Sequence, residues 1–161
     1  MFYQGNLLRQ GEIARNCYLV LQGCVREFFY KDGEERTVEF YTEFEPVNSF
    51  TSAGGNIPAS HNLICMEDCY LTVSDVDLEQ KMCKLIPRLE RIIRKEVEKL
   101  TSETQDKLAK FISSTPEERY LDLLENRPEL IHRVPQHQIA TYLGIKAESM
   151  SRIRKRMMKK A

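Results

Sequence analysis

The residues with the most chemical content lie in one stretch, Val134-Pro135-Gln136-His137-Gln138-Ile139-Ala140-Thr141-Tyr142-Leu143-Gly144-Ile145-Lys146-Ala147-Glu148-Ser149-Met150-Ser151-Arg152-Ile153-Arg154-Lys155-Arg156. The pattern predicts a helix over Gln136–Leu143, a tight turn at Gly144 and a second helix from about Ala147. Gly144 supplies the positive φ that a sharp turn demands, and Ala140 is small enough for two helices to cross closely. Ile139, Leu143, Ile145, Met150 and Ile153 close a small core between the helices. Ala147, Glu148, Ser149, Ser151 and Arg152 then face outward at the leading end of the second helix. Such a set can read base edges in a duplex. Arg152 can donate twice to guanine, Glu148 can accept from cytosine, and the two serines reach a base or a phosphate. Lys146, Arg154, Lys155 and Arg156 suit phosphate contacts, which position a helix without reading sequence. Gln136 and His137, opening the first helix, can also meet phosphate. These residues make double-stranded DNA the expected partner.

The elements that must carry this stretch fall into three regions, expected at 1–84, 85–113 and 114–161. The first reads as antiparallel strands in a sandwich or barrel. Tyr18–Gln22 precedes Gly23, and Val25–Tyr30 is joined to Arg36–Tyr41 across Lys31-Asp32-Gly33, a hairpin signal. Asn62–Cys65 and Tyr70–Ser74 read as two further strands parted by the polar pair Glu67-Asp68. Ala53–Pro58 reads as a loop. From Asp75 the period becomes helical. Asp75 or Asp77 can cap a helix bearing Leu78, Met82, Leu85 and Ile86, and Pro87 fits the first turn of a longer one. The longer helix shows Leu89, Ile93, Val97, Leu100, Thr104, Leu108 and Phe111. This seam, at about 3.5 residues per repeat, is of coiled-coil type, and a single barrel cannot cover it. A second copy of the chain is the expected cover, so a homodimer is expected through Leu89, Ile93, Val97, Leu100 and Leu108. Thr115 with Glu118 forms a capping box, with Pro116 as the first helical residue.

Composition narrows the classes. The chain has 161 residues, 42% hydrophobic and 30% charged, enough apolar material for a core. Its formal charge is zero, yet from Gln136 onward seven cations face a single acid, Glu148. A basic tail on an acidic body points to a polyanion. No apolar run approaches a membrane span and the N-terminus lacks a signal pattern, so a cytoplasmic location is expected with no membrane partner. Cys17, Cys24, Cys65, Cys69 and Cys83 are expected as reduced thiols. His61, His132 and His137 do not form a ligand set. No metal, cofactor or catalytic site is therefore expected, and a barrel enzyme is disfavoured.

The runs Thr115–Tyr120, Val134–Gln136, Ile139–Ile145 and Glu148–Arg154, with Tyr18–Arg26 upstream, resemble the CRP/FNR family of transcription regulators, especially its short Bacteroidetes-type members. The resemblance spans nearly the whole chain. It implies an α+β fold: a cyclic-nucleotide-binding-like antiparallel β-barrel (jelly roll), a long dimerisation helix and a C-terminal helix-turn-helix. The family's base-reading Glu and Arg match Glu148 and Arg152, while the preceding residue, often basic in the family, is Ala147 here. A small-molecule effector in the barrel and RNA polymerase are partners the family allows. A cyclic-nucleotide-responsive activator, and a dimeric small-molecule-binding module without DNA binding, are the alternative readings. The chain starts directly in the barrel and lacks a clear wing, which fits a short member or a truncated form. The family's phosphate cassette carries Gly-Glu and then Arg-Ser or Arg-Thr. The corresponding stretch, Val47 to Asn62, offers Asn48–Thr51 and Pro58–His61, with no Glu and no Arg. A cyclic phosphate would lack its bidentate cation. The cysteines also lack the spacing of the iron–sulfur branch. Calorimetry with cyclic AMP is expected to show no binding at micromolar concentration, and a micromolar Kd would overturn this.

Overall fold

A computed structural model describes residues 1–47 and 57–158. Asn48–Thr51, the Ala53–Asn56 part of the expected loop, Lys159 and Lys160 lie outside the described residues. The strands are β1 (Phe2–Leu8), β2 (Asn16–Gln22), β3 (Val25–Lys31), β4 (Glu34–Tyr41), β5 (Pro46–Val47) and β6 (Asn62–Asp75). They form one antiparallel sheet in the order β4-β3-β6-β2-β5, with β1 also on β6. The turn after β4 leads into β5, which pairs with β2 at Tyr18 and Leu19, so the sheet rolls back on itself. Val20, Val25, Val47, Leu63, Cys69 and Leu71 fill the space it encloses. The β3–β4 turn forms where Asp-Gly predicts it, with φ of 54° at Asp32 and 76° at Gly33. Both angles are positive, as the hairpin twist requires.

Two strand readings change. Asn62–Cys65 and Tyr70–Ser74 are not separate strands: β6 runs unbroken through Glu67-Asp68. The β1–β6 register explains why, stepping from Tyr3↔Cys69 to Gly5↔Cys65. Two residues of β1 thus face four of β6, and the polar pair sits on a bulge rather than in a turn. β1 itself is announced by no clean alternation, because Gly5, at φ 73°, interrupts it.

The helices are α1 (Val76–Leu85), α2 (Pro87–Ser113), α3 (Pro116–Asn126), α4 (Leu130–Arg133), α5 (Gln136–Tyr142) and α6 (Ala147–Met158). Asp75 caps α1, its carboxylate accepting from the Leu78 amide at 2.8 Å. Pro87 opens α2. Thr115 and Glu118 cap α3 reciprocally. No residue of α2 is buried. Leu89, Ile93 and Leu100 are half-buried, while Val97 and Leu108 are exposed. Beside the helix lies an open groove of about 1010 Å³, lined by Ile93, Val97 and Leu100 on α2 and by Tyr41 and Phe44 from the sheet. Phe111, at the end of the expected seam, is exposed yet also meets the start of the following helices. Its ring lies under the Arg119 guanidinium at 4.4 Å, and a Cβ on Gly144 would sit 2.9 Å from its Cζ. No described helix is long and apolar enough to cross a membrane.

The five thiols are unpaired. Burial pushes Cys24 and Cys65 up to about 12 and also raises Cys69. Buried neutral thiols are poor nucleophiles. A thiol reagent at neutral pH is expected to leave Cys24, Cys65 and Cys69 unmodified until denaturant is added, as peptide mass spectrometry will show. Modification of all three in the folded protein would contradict the packing.

Candidate nucleic-acid interface

The segment after Pro135 folds as two crossed helices. α5 ends at Tyr142 with Leu143 as its C-cap, and Gly144 turns the chain at φ 69°. The Ile145 amide then donates back to the Ala140 carbonyl at 2.9 Å, which satisfies the end of α5. α6 starts with the amides of Ser149 and Met150 donating to the Lys146 carbonyl. Arg119 locks this corner from below. Its Nε donates to the Leu143 carbonyl at 3.0 Å, and its Nη1 to the carbonyls of Phe111 and Ser114 at 3.1 and 2.6 Å. One guanidinium thus ties the end of α2 to the turn between α5 and α6.

Helical spacing decides which residues of α6 face in. Met150 is 2% exposed and Ile153 is 4% exposed, both packed with Ile139, Ala140 and Leu143. Lys146, Ala147, Glu148, Ser151, Arg152, Lys155 and Arg156 are exposed, and Ser149 is half-exposed. Gln136 and His137 are exposed at the start of α5. These residues are thus all accessible to solvent, with Glu148 and Arg152 one helical turn apart on α6. The Arg152 Nη2 donates to Ser149 Oγ at 3.3 Å. Arg156 pairs with Glu117 on α3 at 2.6 Å, so it holds an acid of its own chain. Among the described residues, Lys146, Arg152, Arg154 and Lys155 form no ion pair.

The sequence reading missed a second set of residues, on the opposite side of the helix pair. The core around α5 and α6 includes Phe40 and Cys24 of the rolled sheet, both 0% exposed. Phe40 meets the Tyr142 ring edge-on at 5.4 Å. Thr37 Oγ1 lies 2.8 Å from Thr141 Oγ1 and accepts from buried Arg26 Nε at 2.9 Å. Two arginines flank this contact. Arg127 donates to Glu39 at 2.9 Å, to the Phe40 carbonyl at 2.7 Å and to Glu45 at 3.1 Å. Tyr142 and Lys107 also donate to Glu39. Arg133 donates twice to Glu43, at 2.9 Å each, and through Nε to Glu67 at 3.0 Å. Glu67 is the acid on the β6 bulge.

The charges follow from these contacts. The Arg133 hydrogen bonds hold the Glu43 carboxyl at about 2, with burial opposing and the Gly23 amide assisting. A lowered carboxylate contributes fully above its ordinary value and loses that contribution as the pH falls toward about 2, so the pair is intact at neutral pH. Burial opposes the Arg127 charge, but Glu45 and Glu39 outweigh it and its pKa rises. Burial, then Glu39, raises the Tyr142 phenol, which stays a donor. Each arginine has an ordinary surface spacing in the sequence. Only the paired acids, far away in the chain, distinguish them. Among the described residues, no group of three or more His, Cys, Asp or Glu side chains could hold a metal.

No protein-family model and no curated protein matches the chain. Solved structures do. FixK2 from Bradyrhizobium japonicum superposes with a TM-score of 0.80 at 18% identity, over 99% of this chain and 84% of that one. The c-di-GMP responsive global regulator CLP of Xanthomonas campestris gives 0.75 at 20%, over 99% and 86%. The catabolite activator protein of Thermus thermophilus gives 0.56 at 20%, over 99% and 78%. With a rolled antiparallel sheet, a long exposed helix and a terminal helix pair turned at Gly144, the chain has the fold of the CRP/FNR regulators.

Proposed function

We propose that this chain is a DNA-binding transcription regulator of the CRP/FNR type that works as a homodimer. The observation that carries the reading is the division of α6. Met150 and Ile153 are buried, which leaves Glu148 and Arg152 exposed at its leading half. Entering a major groove by that end, α6 would present a bidentate donor for guanine and an acceptor for a cytosine amine. Lys146, Arg154 and Lys155, free of ion pairs among the described residues, are the phosphate contacts. Gln136, His137, Ser149 and Ser151 border the same surface. Ala147 sits where a larger side chain would make one more base contact, so base reading rests on few residues.

The uncovered apolar residues of α2 support the dimer. A second α2, packed along Leu89, Ile93, Val97, Leu100 and Leu108, would cover them and close the groove beside the sheet. Two recognition helices would then face successive major grooves about 34 Å apart. The barrel, the long helix and the terminal helix pair thus serve as sensor, dimer and DNA-binding parts. The absence of any Arg between Val47 and Asn62 in the sequence argues against cyclic AMP as an effector of the barrel.

Arg152→Ala is expected to cost about 1–3 kcal/mol on the specific site and to relax preference at one base pair. Lys155→Ala is expected to weaken specific and random duplexes alike and to reduce the salt slope by about one. Binding titrations over a salt series will measure both. An equal loss on specific and random DNA for Arg152→Ala would contradict its assigned role.

A further inference from the structure

The reading above leaves Arg127 and Arg133 without a part. Both belong to the DNA-binding region, yet their guanidiniums point away from the α6 surface and into the sheet. Their side chains are only 18% and 21% exposed, so neither is free to hold a phosphate. Resting on the regulator reading, we propose that Arg127 and Arg133 are positioning residues for DNA reading. They moor the helix pair to the acidic flank of its own sheet, fixing the direction of Glu148 and Arg152 and hence the half-site spacing a dimer accepts.

The geometry of attachment supports this. The helices from α3 onward are covalently joined to α2 through Ser114-Thr115 alone, with Arg119 clamping that joint. One joint leaves a body free to swing about it. The mooring adds two further points on the opposite side of α5. Arg133 meets Glu43 by two parallel hydrogen bonds, a pairing that fixes angle as well as distance. Glu43 is itself held by the Gly23 amide at 3.0 Å. Glu67 is presented by the bulge in β6, which accounts for a polar pair inside a strand. At the other point, Glu39 receives Arg127, Tyr142 and Lys107, so one carboxylate joins β4, the helix pair and α2.

Between the two points, Phe40 supplies apolar burial. Apolar contact holds without much direction, whereas bidentate ion pairs select one orientation. The interface also carries a cost. Arg26 Nη2 and Gln138 Oε1 are buried there without a described partner, and such groups destabilise. A contact of this kind can hold one orientation without being permanent, so a change in the barrel could be felt at α6.

The test uses the full chain with Arg133→Gln, the pair Glu43→Gln and Glu67→Gln, and Arg127→Gln. Each is compared with wild type in two measurements. In hydrogen exchange, Thr37–Tyr41 and Gln138–Tyr142 are expected to exchange at least about tenfold faster in every variant, while Met150–Ile153 stays protected. In DNA binding, affinity for a duplex with one half-site is expected to stay within about twofold. Discrimination between the preferred half-site spacing and spacings one base pair longer or shorter is expected to fall about tenfold.

Unchanged exchange, or full spacing discrimination despite faster exchange, would overturn the proposal. So would a loss of half-site affinity in Arg133→Gln that the Glu43/Glu67 variant does not share, because Arg133 would then be a DNA contact. A wild-type protein that binds no duplex would sink the regulator reading and the positioning role with it. The exchange arm would still report separately whether the mooring exists. A variant with Met150–Ile153 unprotected has lost the helix pair, and Arg133→Lys, keeping the charge without the bidentate geometry, replaces it.

Discussion

A helix pair as small as α5–α6 cannot bury a core by itself, and the way this chain solves that problem shapes the rest of the molecule. Short domains bury too small a fraction of their surface to be stable alone. Here α3 and α4 add Tyr120, Leu123 and Leu130, and the rolled sheet adds Phe40 and Cys24. The helix pair is thus seated on the outside of the sheet. That seat settles which side of α6 is free. Met150 and Ile153 turn toward the shared core, and Glu148 and Arg152 are left facing out.

Charge follows the same division. The sequence carries a basic end on an acidic body, which by itself suggests a polyanion partner. The structure separates two settings for the cations of that end and of the helices just before it. Arg127 and Arg133 meet acids of the sheet, and Arg156 meets Glu117. Lys146, Arg152 and Lys155 keep no described acid and are exposed like Glu148, while Arg154, also without one, is half-buried. The arginines at the seat are bidentate or multiply bonded, whereas those on the outer face make weak local contacts at most. Exposed pairs such as Arg156–Glu117 contribute little to stability.

Much of this was legible locally. Asp32-Gly33 marked the hairpin, Asp75 and Thr115 marked helix starts, and Gly144 marked the turn, because each feature is set by the φ or the hydrogen bond of a few neighbouring residues. The outward set on α6 followed from helical spacing alone. What failed to show depended on pairing across long sequence separations. Glu67-Asp68 looks like a turn until β1 is laid beside β6 and the bulge appears. Phe111 keeps the period of the α2 seam, yet its ring belongs to Arg119 and Gly144. Phe40 reads as an ordinary strand residue, and Arg127 and Arg133 as solvated charges. Only the fold brings them together, across 90 positions in the case of Arg133 and Glu43.

The central claim is that two copies of α6, held at a set separation, read duplex DNA. Selection of bound sequences from a random duplex pool by the full-length protein tests it most directly. The account predicts enrichment of two inverted half-sites, each containing a G·C pair, with centres about one helical turn apart. A pool that shows no enrichment over the starting library, or that yields only a lone half-site without symmetry, would contradict it.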